Sequence, residues 1–136
     1  MRTKKFSAQF KNLDEIRSFV GDIARDGGFS DKEIYSIQLA TDEAASNVIE
    51  HAYGEDPKGE LEISADVTSD RITIVLRDSG KAFDSGSVRQ PDLQADLSER
   101  QVGGLGIYLM RKLMDEVRYE TVKKGGNLLT LVKRKG

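Results

Sequence analysis

The amino-acid sequence predicts an α+β protein, a two-layer sandwich with a mixed, mostly antiparallel sheet and helices on one face. Apolar residues recur at every second position in five short segments and at helical spacing in three longer ones. The predicted order is β-α-α-β-β-loop-α-β-β, in which most strands are joined as hairpins, unlike the strand–helix alternation of a doubly wound parallel sheet. The length of 136 residues is typical of one domain, so we take 1–136 as a single unit.

The first strand is predicted over residues 3–10, where Phe6, Ala8 and Phe10 alternate. Asn12 then has the position of a helix N-cap, and Glu15, three residues later, completes a capping box. An amphipathic helix follows and is expected to end at the next pair of glycines, Gly27-Gly28.

Ser30 and Glu33 repeat the capping signature and predict a second, longer helix that continues to about His51. Two runs of alternating apolar residues, 61–67 and 72–76, read as a hairpin with its turn at Ser69-Asp70.

Residues 79–103 have no sustained period and include three glycines, which predicts a long loop. Loops of more than about 15 residues in a compact domain usually have a function. A third helix is expected from Gly104, followed by strands at about 116–122 and 127–133 with a turn at Lys124-Gly125-Gly126.

Composition excludes several kinds of protein. The chain has no cysteine and one histidine, which excludes a disulfide scaffold, a zinc site with cysteine ligands and a cysteine nucleophile. The net charge of −2 argues against direct nucleic-acid binding, which calls for a basic excess. No apolar run reaches the length of a membrane span, so we expect a cytoplasmic protein without a membrane partner.

Glu43, Asn47 and His51 are spaced four residues apart on the second helix, so they share one face about 6 Å apart along its axis. A carboxamide oxygen is a hard, neutral ligand that suits Mg²⁺, and a carboxylate one turn earlier could polarise a hydroxyl or water beside it. The alternative is a solvated polar stripe. We interpret His51 as a structural residue near the helix C-terminus.

Two further segments lie where a strand or loop meets another element. Asp78-Ser-Gly80 ends a strand, so that the carboxylate could accept a hydrogen bond from an exocyclic amine while the glycine admits a flat ligand. An ordinary Asx turn is the alternative. Gly103-Gly104-Leu105-Gly106 opens the third helix, where backbone N–H groups and the helix dipole can attract an anion. The alternative there is a glycine-rich hinge.

Together and in this order, the three segments resemble the N, G1 and G2 boxes of the Bergerat-fold ATPases, the superfamily of gyrase and the histidine kinases. Within it, the chain is most similar to the small anti-sigma-factor serine/threonine kinases. The similarity is carried by the segment from Leu39 to Tyr53 and by the segment from Gly104 to Val117, and it extends to the length and element order.

The resemblance implies a role for each segment. Glu43 would be the general base that activates a serine hydroxyl, and Asn47 would hold Mg²⁺ at the phosphates of ATP. Asp78 would read the adenine amino group, with Gly80 allowing the ring to approach. The residues expected to meet the phosphates are Gly104, Leu105 and Gly106. Residues of about 79–103 would form the ATP lid, with Arg100 as a candidate phosphate contact.

The sequence departs from the family pattern at two places. Ala82 stands where the G1 box usually has a second glycine, and Gly126-Asn127 stands where the superfamily often has Gly-Thr. We therefore predict no nucleotide contact at Asn127, and Thr130 is interpreted as a sheet residue.

The predicted function is an ATP- and Mg²⁺-dependent protein serine kinase that acts as an anti-sigma factor. The resemblance implies a sigma factor and an anti-sigma-factor antagonist as partners, the antagonist being phosphorylated on serine, and a homodimer. The alternative is a nucleotide-gated binding module without significant kinase activity, which Ala82 favours and the Glu43–Asn47 pair opposes. A histidine-kinase fragment is disfavoured because no heptad-bearing dimerisation helix precedes the domain.

Overall fold

The computed structural model describes residues 1–52, 58–80, 104–122 and 125–136. Five strands form one sheet in the order β1-β2-β3-β5-β4. Their bounds are Arg2–Ser7 for β1, Glu60–Val67 for β2, Arg71–Asp78 for β3, Glu116–Thr121 for β4 and Asn127–Arg134 for β5. The α+β two-layer prediction is confirmed.

Every pair of neighbouring strands in the described sheet is antiparallel, so the prediction of a mixed sheet is wrong in that detail. The chain crosses from β3 to the far edge of the sheet before it returns as β5. Strands β3 and β4 consequently run in the same direction, but β5 lies between them and separates them.

Three helices pack on the sheet: α1 (Leu13–Asp26), α2 (Asp31–Asn47) and α3 (Gly104–Leu113). Helix α2 lies in the middle and contacts both of the others. None of the helices in the described part of the chain has the length and apolar run that a membrane crossing needs.

The two predicted capping boxes have different outcomes. Ser30 accepts a hydrogen bond from the Glu33 backbone at 3.1 Å, and Glu33 accepts one from the Ser30 backbone at 2.8 Å, which confirms the cap of α2. The cap at Asn12 is wrong, because a 3₁₀ turn at Phe10–Asn12 runs directly into α1 and gives Asn12 a helical backbone. Its amide instead donates to the carbonyl of Ser7, the last residue of β1, at 2.8 Å.

The second helix continues to His51 as predicted, but its last turn is not α-helical. The α-helix ends at Asn47, and Val48–Ala52 form a π-helical turn. Turns of this type occur often at functional sites.

The hydrophobic core lies between the sheet and the helices. Strand β3 contributes an alternating ladder that is at most 1% exposed, formed by Ile72, Ile74 and Leu76. Helices α2 and α3 cover this ladder with Ile34, Ile37, Ala40, Ala44, Ile107 and Met110. Each large side chain buried in this way contributes roughly 1.5–3 kcal/mol, so the end of β3 is held firmly beneath α2 and α3.

Candidate functional site

Asp78 is the last residue of β3 and follows the apolar ladder on its buried face, with 4% of its surface exposed. Its Oδ1 accepts two hydrogen bonds of 3.0 Å, from the Gly80 backbone and from Nδ2 of Asn127. The first of these is the Asx turn foreseen as the alternative interpretation. The backbone of Asn127 also hydrogen-bonds to this carboxylate.

Burial raises the pKa of the Asp78 carboxyl, and the hydrogen bonds from Asn127 and Gly80 oppose that shift. The carboxylate is thus removed from water, while hydrogen bonds favour its ionised form. This combination favours recognition of a hydrogen-bond donor.

The sequence analysis did not assign Asn127 to the site. It lies opposite Asp78 in the β3–β5 register and is 3% exposed. Gly126 precedes it with φ +106°, and a Cβ there would overlap the Asp78 carbonyl oxygen, so a side chain is excluded at this position. A polar residue at the buried start of a predicted strand, directly after two glycines, was the signal that could have revealed it.

Helices α2 and α3 meet at Glu43, Asn47 and Gly106. A Cβ built on Gly106 would lie 3.2 Å from Glu43 Oε2 and 3.3 Å from Asn47 Nδ2. The absence of a side chain at Gly106 therefore keeps a small space open in front of the two polar groups.

Glu43 and Asn47 differ in their surroundings. Asn47 is 6% exposed, whereas Glu43 is half-buried. Burial raises the pKa of Glu43, and the charges of Asp42 and Glu50 raise it further. A carboxylate shifted in this direction is a better proton acceptor near neutral pH.

Tyr119 of β4 links the two parts of the site and was also missed. Burial raises the pKa of its hydroxyl to about 12, the nearby Asn47 side chain lowers that pKa, and the charge of Asp78 raises it. The hydroxyl of Tyr119 thus lies close enough to both Asn47 and Asp78 for them to affect its pKa. Alternation with Val117 on the inner face of β4 was the available sequence signal.

Helix α3 begins at Gly104, so the backbone N–H groups of its first turn, from Gly104 through Gly106, have no partner within the helix. The lid segment 81–103, with Ala82 and Arg100, lies outside the described residues, as does the side chain of His51. The roles predicted for these residues stay predictions.

A metal held by protein side chains alone is not indicated. Within residues 1–52, 58–80, 104–122 and 125–136, no three His, Cys, Asp or Glu side chains group as ligands. Mg²⁺ does not need such a group of side chains, because that ion commonly takes most of its ligands from water and substrate phosphates.

Known proteins resemble this chain in sequence. A family model described as "Histidine kinase-like ATPase domain" matches residues 6–133. A protein named Serine-protein kinase RsbW from Bacillus subtilis (strain 168) is 36% identical over 121 residues, which cover 85% of this chain and 75% of that protein. A protein of the same name from Bacillus licheniformis is 38% identical over 112 residues, covering 77% of this chain and 68% of the relative.

Solved structures share the fold. The RsbU and RsbW domains of a Mycobacterium tuberculosis protein match with a TM-score of 0.68 at 19% identity, over 98% of this chain and 32% of that longer one. The catalytic domain of histidine kinase ThkA matches with a TM-score of 0.59 at 14% identity, over 99% and 97% of the two chains. The chain belongs to the histidine kinase-like ATPase domain family, and its sheet and helices have the Bergerat fold predicted from the three sequence boxes.

Proposed function

We propose that this chain is a protein serine kinase that transfers the γ-phosphoryl group of ATP to an anti-sigma-factor antagonist and also binds a sigma factor. The family match and the relatives named serine-protein kinase support ATP use and the kinase reaction. The observation that carries the proposal is the approach of Gly106 to Glu43 and Asn47, because it joins a base, a metal ligand and a helix N-terminus in one place.

ATP is bound at both ends of the site. The Asp78 carboxylate accepts a hydrogen bond from the adenine amino group, and Gly80 leaves room for the ring. Backbone N–H groups of Gly104, Leu105 and Gly106 face the phosphates, which the positive end of the α3 dipole also attracts. The lid assignment for residues 79–103, within one domain of 1–136, is part of the same proposal.

Asn47 would hold Mg²⁺ through its carboxamide oxygen, and such an ion would supply positive charge beside the phosphates. The side chain reaches the site from a buried position beside Tyr119, which limits the orientations that the carboxamide can adopt.

Glu43 is the general base. The serine oxygen forms a bond to the γ-phosphorus while the bond from that phosphorus to the β–γ bridging oxygen breaks, and ADP leaves with that electron pair. The hydroxyl proton passes to the Glu43 carboxylate. Positioning and charge stabilisation contribute most to such a reaction, and the base orients the nucleophile.

The partners follow from the family resemblance. A sigma factor held inactive and an antagonist carrying the target serine are both cytoplasmic proteins, so we place the reaction in the cytoplasm. We also propose that the chain forms a homodimer. The proposal includes no direct contact with nucleic acid.

The test is incubation of the chain with Mg-ATP and candidate antagonist proteins, followed by detection of phosphoserine by mass spectrometry. We expect one antagonist to gain a phosphoryl group on serine. If the wild type binds ATP and a partner tightly but modifies no candidate, the nucleotide-gated binding module replaces the kinase as the function.

A further inference from the structure

Nδ2 of Asn47 is a buried hydrogen-bond donor. It exposes less than 1 Å² of surface and makes no hydrogen bond within the residues that the structure describes. A Cβ built on Gly106 would lie 3.3 Å from Nδ2 and 3.7 Å from Oδ1, so the carboxamide turns its edge toward α3. A buried donor is costly when it is unpaired, which calls for an explanation at a residue proposed to hold an ion.

Tyr119 carries the acceptor that such a donor needs. Its hydroxyl oxygen exposes less than 1 Å² of surface, and its ring packs against the hydrophobic core from β4. Burial raises the pKa of this hydroxyl to about 12 and the Asn47 side chain lowers it, so the two side chains are close together. A tyrosine hydroxyl that keeps its proton can both donate and accept a hydrogen bond.

We propose that Tyr119 is a positioning residue at the phosphate end of the site. When the nucleotide and Mg²⁺ are bound, its hydroxyl oxygen accepts a hydrogen bond from Nδ2 of Asn47, which directs the carboxamide oxygen toward the ion. The inference rests on the proposed function and deepens it, because it names the residue that decides which end of the Asn47 carboxamide faces the ion.

The charge of Asp78 favours a hydroxyl that accepts from Asn47 over one that donates to it. After the larger effect of burial, this charge also raises the pKa of Tyr119, while Arg111 acts more weakly in the opposite sense. A negative charge attracts the hydroxyl proton and turns the oxygen lone pairs away from itself. Asp78 belongs to the sheet and Asn47 to the helical layer, so the proton and the lone pairs serve different neighbours.

The orientation of Asn47 matters because only the oxygen of a carboxamide can bind a cation. Its NH₂ group has two donors and no lone pair for a metal. A residue that holds a metal ligand in place typically changes metal affinity by roughly 10–100-fold. Tyr119 acts on Mg²⁺ in this way without touching it.

The test removes only the hydroxyl group. Tyr119→Phe keeps the ring that packs on the core, and Tyr35→Phe makes the same change at a tyrosine of α2 that is 65% exposed. Nitrogen NMR follows the Asn47 side-chain amide, whose signal is identified by its absence in Asn47→Asp. Calorimetry gives the affinity for ADP with Mg²⁺ and with a chelator in its place. ADP is the probe because it has no γ-phosphoryl group to transfer.

We expect Mg-ADP to move the Asn47 amide protons downfield in the wild type and in Tyr35→Phe, as the hydrogen bond forms, and not in Tyr119→Phe. The factor by which Mg²⁺ strengthens ADP binding should fall about tenfold in Tyr119→Phe. Its affinity for ADP in the chelator should equal that of the wild type, because no metal is present there. A merely structural role for Tyr119 would weaken both affinities equally.

The inference is overturned if Mg-ADP moves the amide signal equally in Tyr119→Phe and the wild type, or in neither. An equal loss of ADP affinity with and without Mg²⁺ overturns it too. Tyr119→Leu, which also lacks a hydroxyl, replaces Tyr119→Phe if the latter does not fold. If the amide signals behave as expected but no antagonist serine is phosphorylated, the inference stands and the kinase proposal fails. If serine is phosphorylated but the signals do not differ, the kinase proposal stands and the inference fails.

Discussion

The reactive residues of the site are few, and each depends on one or two neighbours. Glu43 has a raised pKa because it is half-buried beside Asp42 and Glu50, and Asn47 is buried against Tyr119. We propose different tasks for these two residues, which are one helical turn apart.

We expect Glu43→Gln to bind Mg-ATP as the wild type does and to transfer the phosphoryl group 10²–10⁴-fold more slowly, a range of about the size typical for a lost general base. The substitution keeps the shape of the side chain and removes its ability to take a proton. Phosphorylation rate and ATP affinity are measured together. Glu15→Gln, on the exposed side of α1, is the control, and a variant as fast as the wild type would show that Glu43 is not the base.

The rate of phosphoryl transfer should fall as the pH falls through the pKa of Glu43. Only the ionised carboxylate accepts a proton, and burial places its pKa above the ordinary value, so the loss begins at a higher pH than for an exposed glutamate. A pH profile of kcat for the wild type tests this. The profile for Glu43→Gln should lack this fall in kcat at acidic pH. If the fall persists in the variant, the titrating group is a residue other than Glu43.

The packing of α3 against α2 determines the distance between Gly106 and the side chains of Glu43 and Asn47. Gly106 belongs to the first turn of α3, and a Cβ on it would lie 3.2 Å from Glu43 Oε2. The N-terminus of α3 approaches α2 this closely because a glycine stands at the crossing.

Gly106→Ala should lower Mg-ATP affinity by about tenfold with the fold retained, because the methyl group displaces Glu43 and Asn47 by a few tenths of an ångström and fills the space in front of them. Calorimetry and circular dichroism measure the two effects. Lys112→Ala, on the exposed side of the same helix, is the control. If Gly106→Ala binds Mg-ATP with the affinity of the wild type, the close approach of α3 to Glu43 and Asn47 does not contribute to nucleotide binding.

The elements were largely predictable, and the errors have physical causes. Ser30 caps α2 as expected because its backbone is extended, whereas Asn12 does not cap α1 because a preceding 3₁₀ turn makes its backbone helical. Local sequence does not reveal whether such a turn precedes a helix.

The site was predictable where it follows from local motifs and not where it depends on strand pairing. Gly106 lies beside Glu43 and Asn47, as the order of the N and G2 boxes suggested. Asn127 and Tyr119 reach the site only through the register of β5 beside β3 and of β4 beside β5, which the sequence pattern does not specify.

The residues of the proposed site come from both layers of the molecule. Glu43 and Asn47 lie on α2, Gly106 lies on α3, and Asp78 and Asn127 lie on the sheet. A ligand that binds to all of them stabilises the folded state only.

Mg-ATP at about 100 times its Kd should therefore stabilise the fold by ~2.7 kcal/mol and raise Tm by several degrees. Asp78→Asn should reduce the shift, since a mixed donor–acceptor group replaces an acceptor, and GTP should give less than ATP. Thermal unfolding followed by circular dichroism measures these shifts. Equal shifts with ATP and GTP would contradict adenine recognition by Asp78.

The bond between Asp78 and Asn127 joins residues 49 positions apart, on strands that are made at different times during synthesis. At roughly 5–20 residues per second, a ribosome takes ~2–10 s to extend the chain from one to the other. During that interval the nascent protein has α1, α2 and β3, but the Asp78 carboxylate lacks its hydrogen bond from Asn127. We therefore expect ATP binding only after β5 has left the ribosome and paired with β3. A chain cut short before Asn127 should not bind the nucleotide.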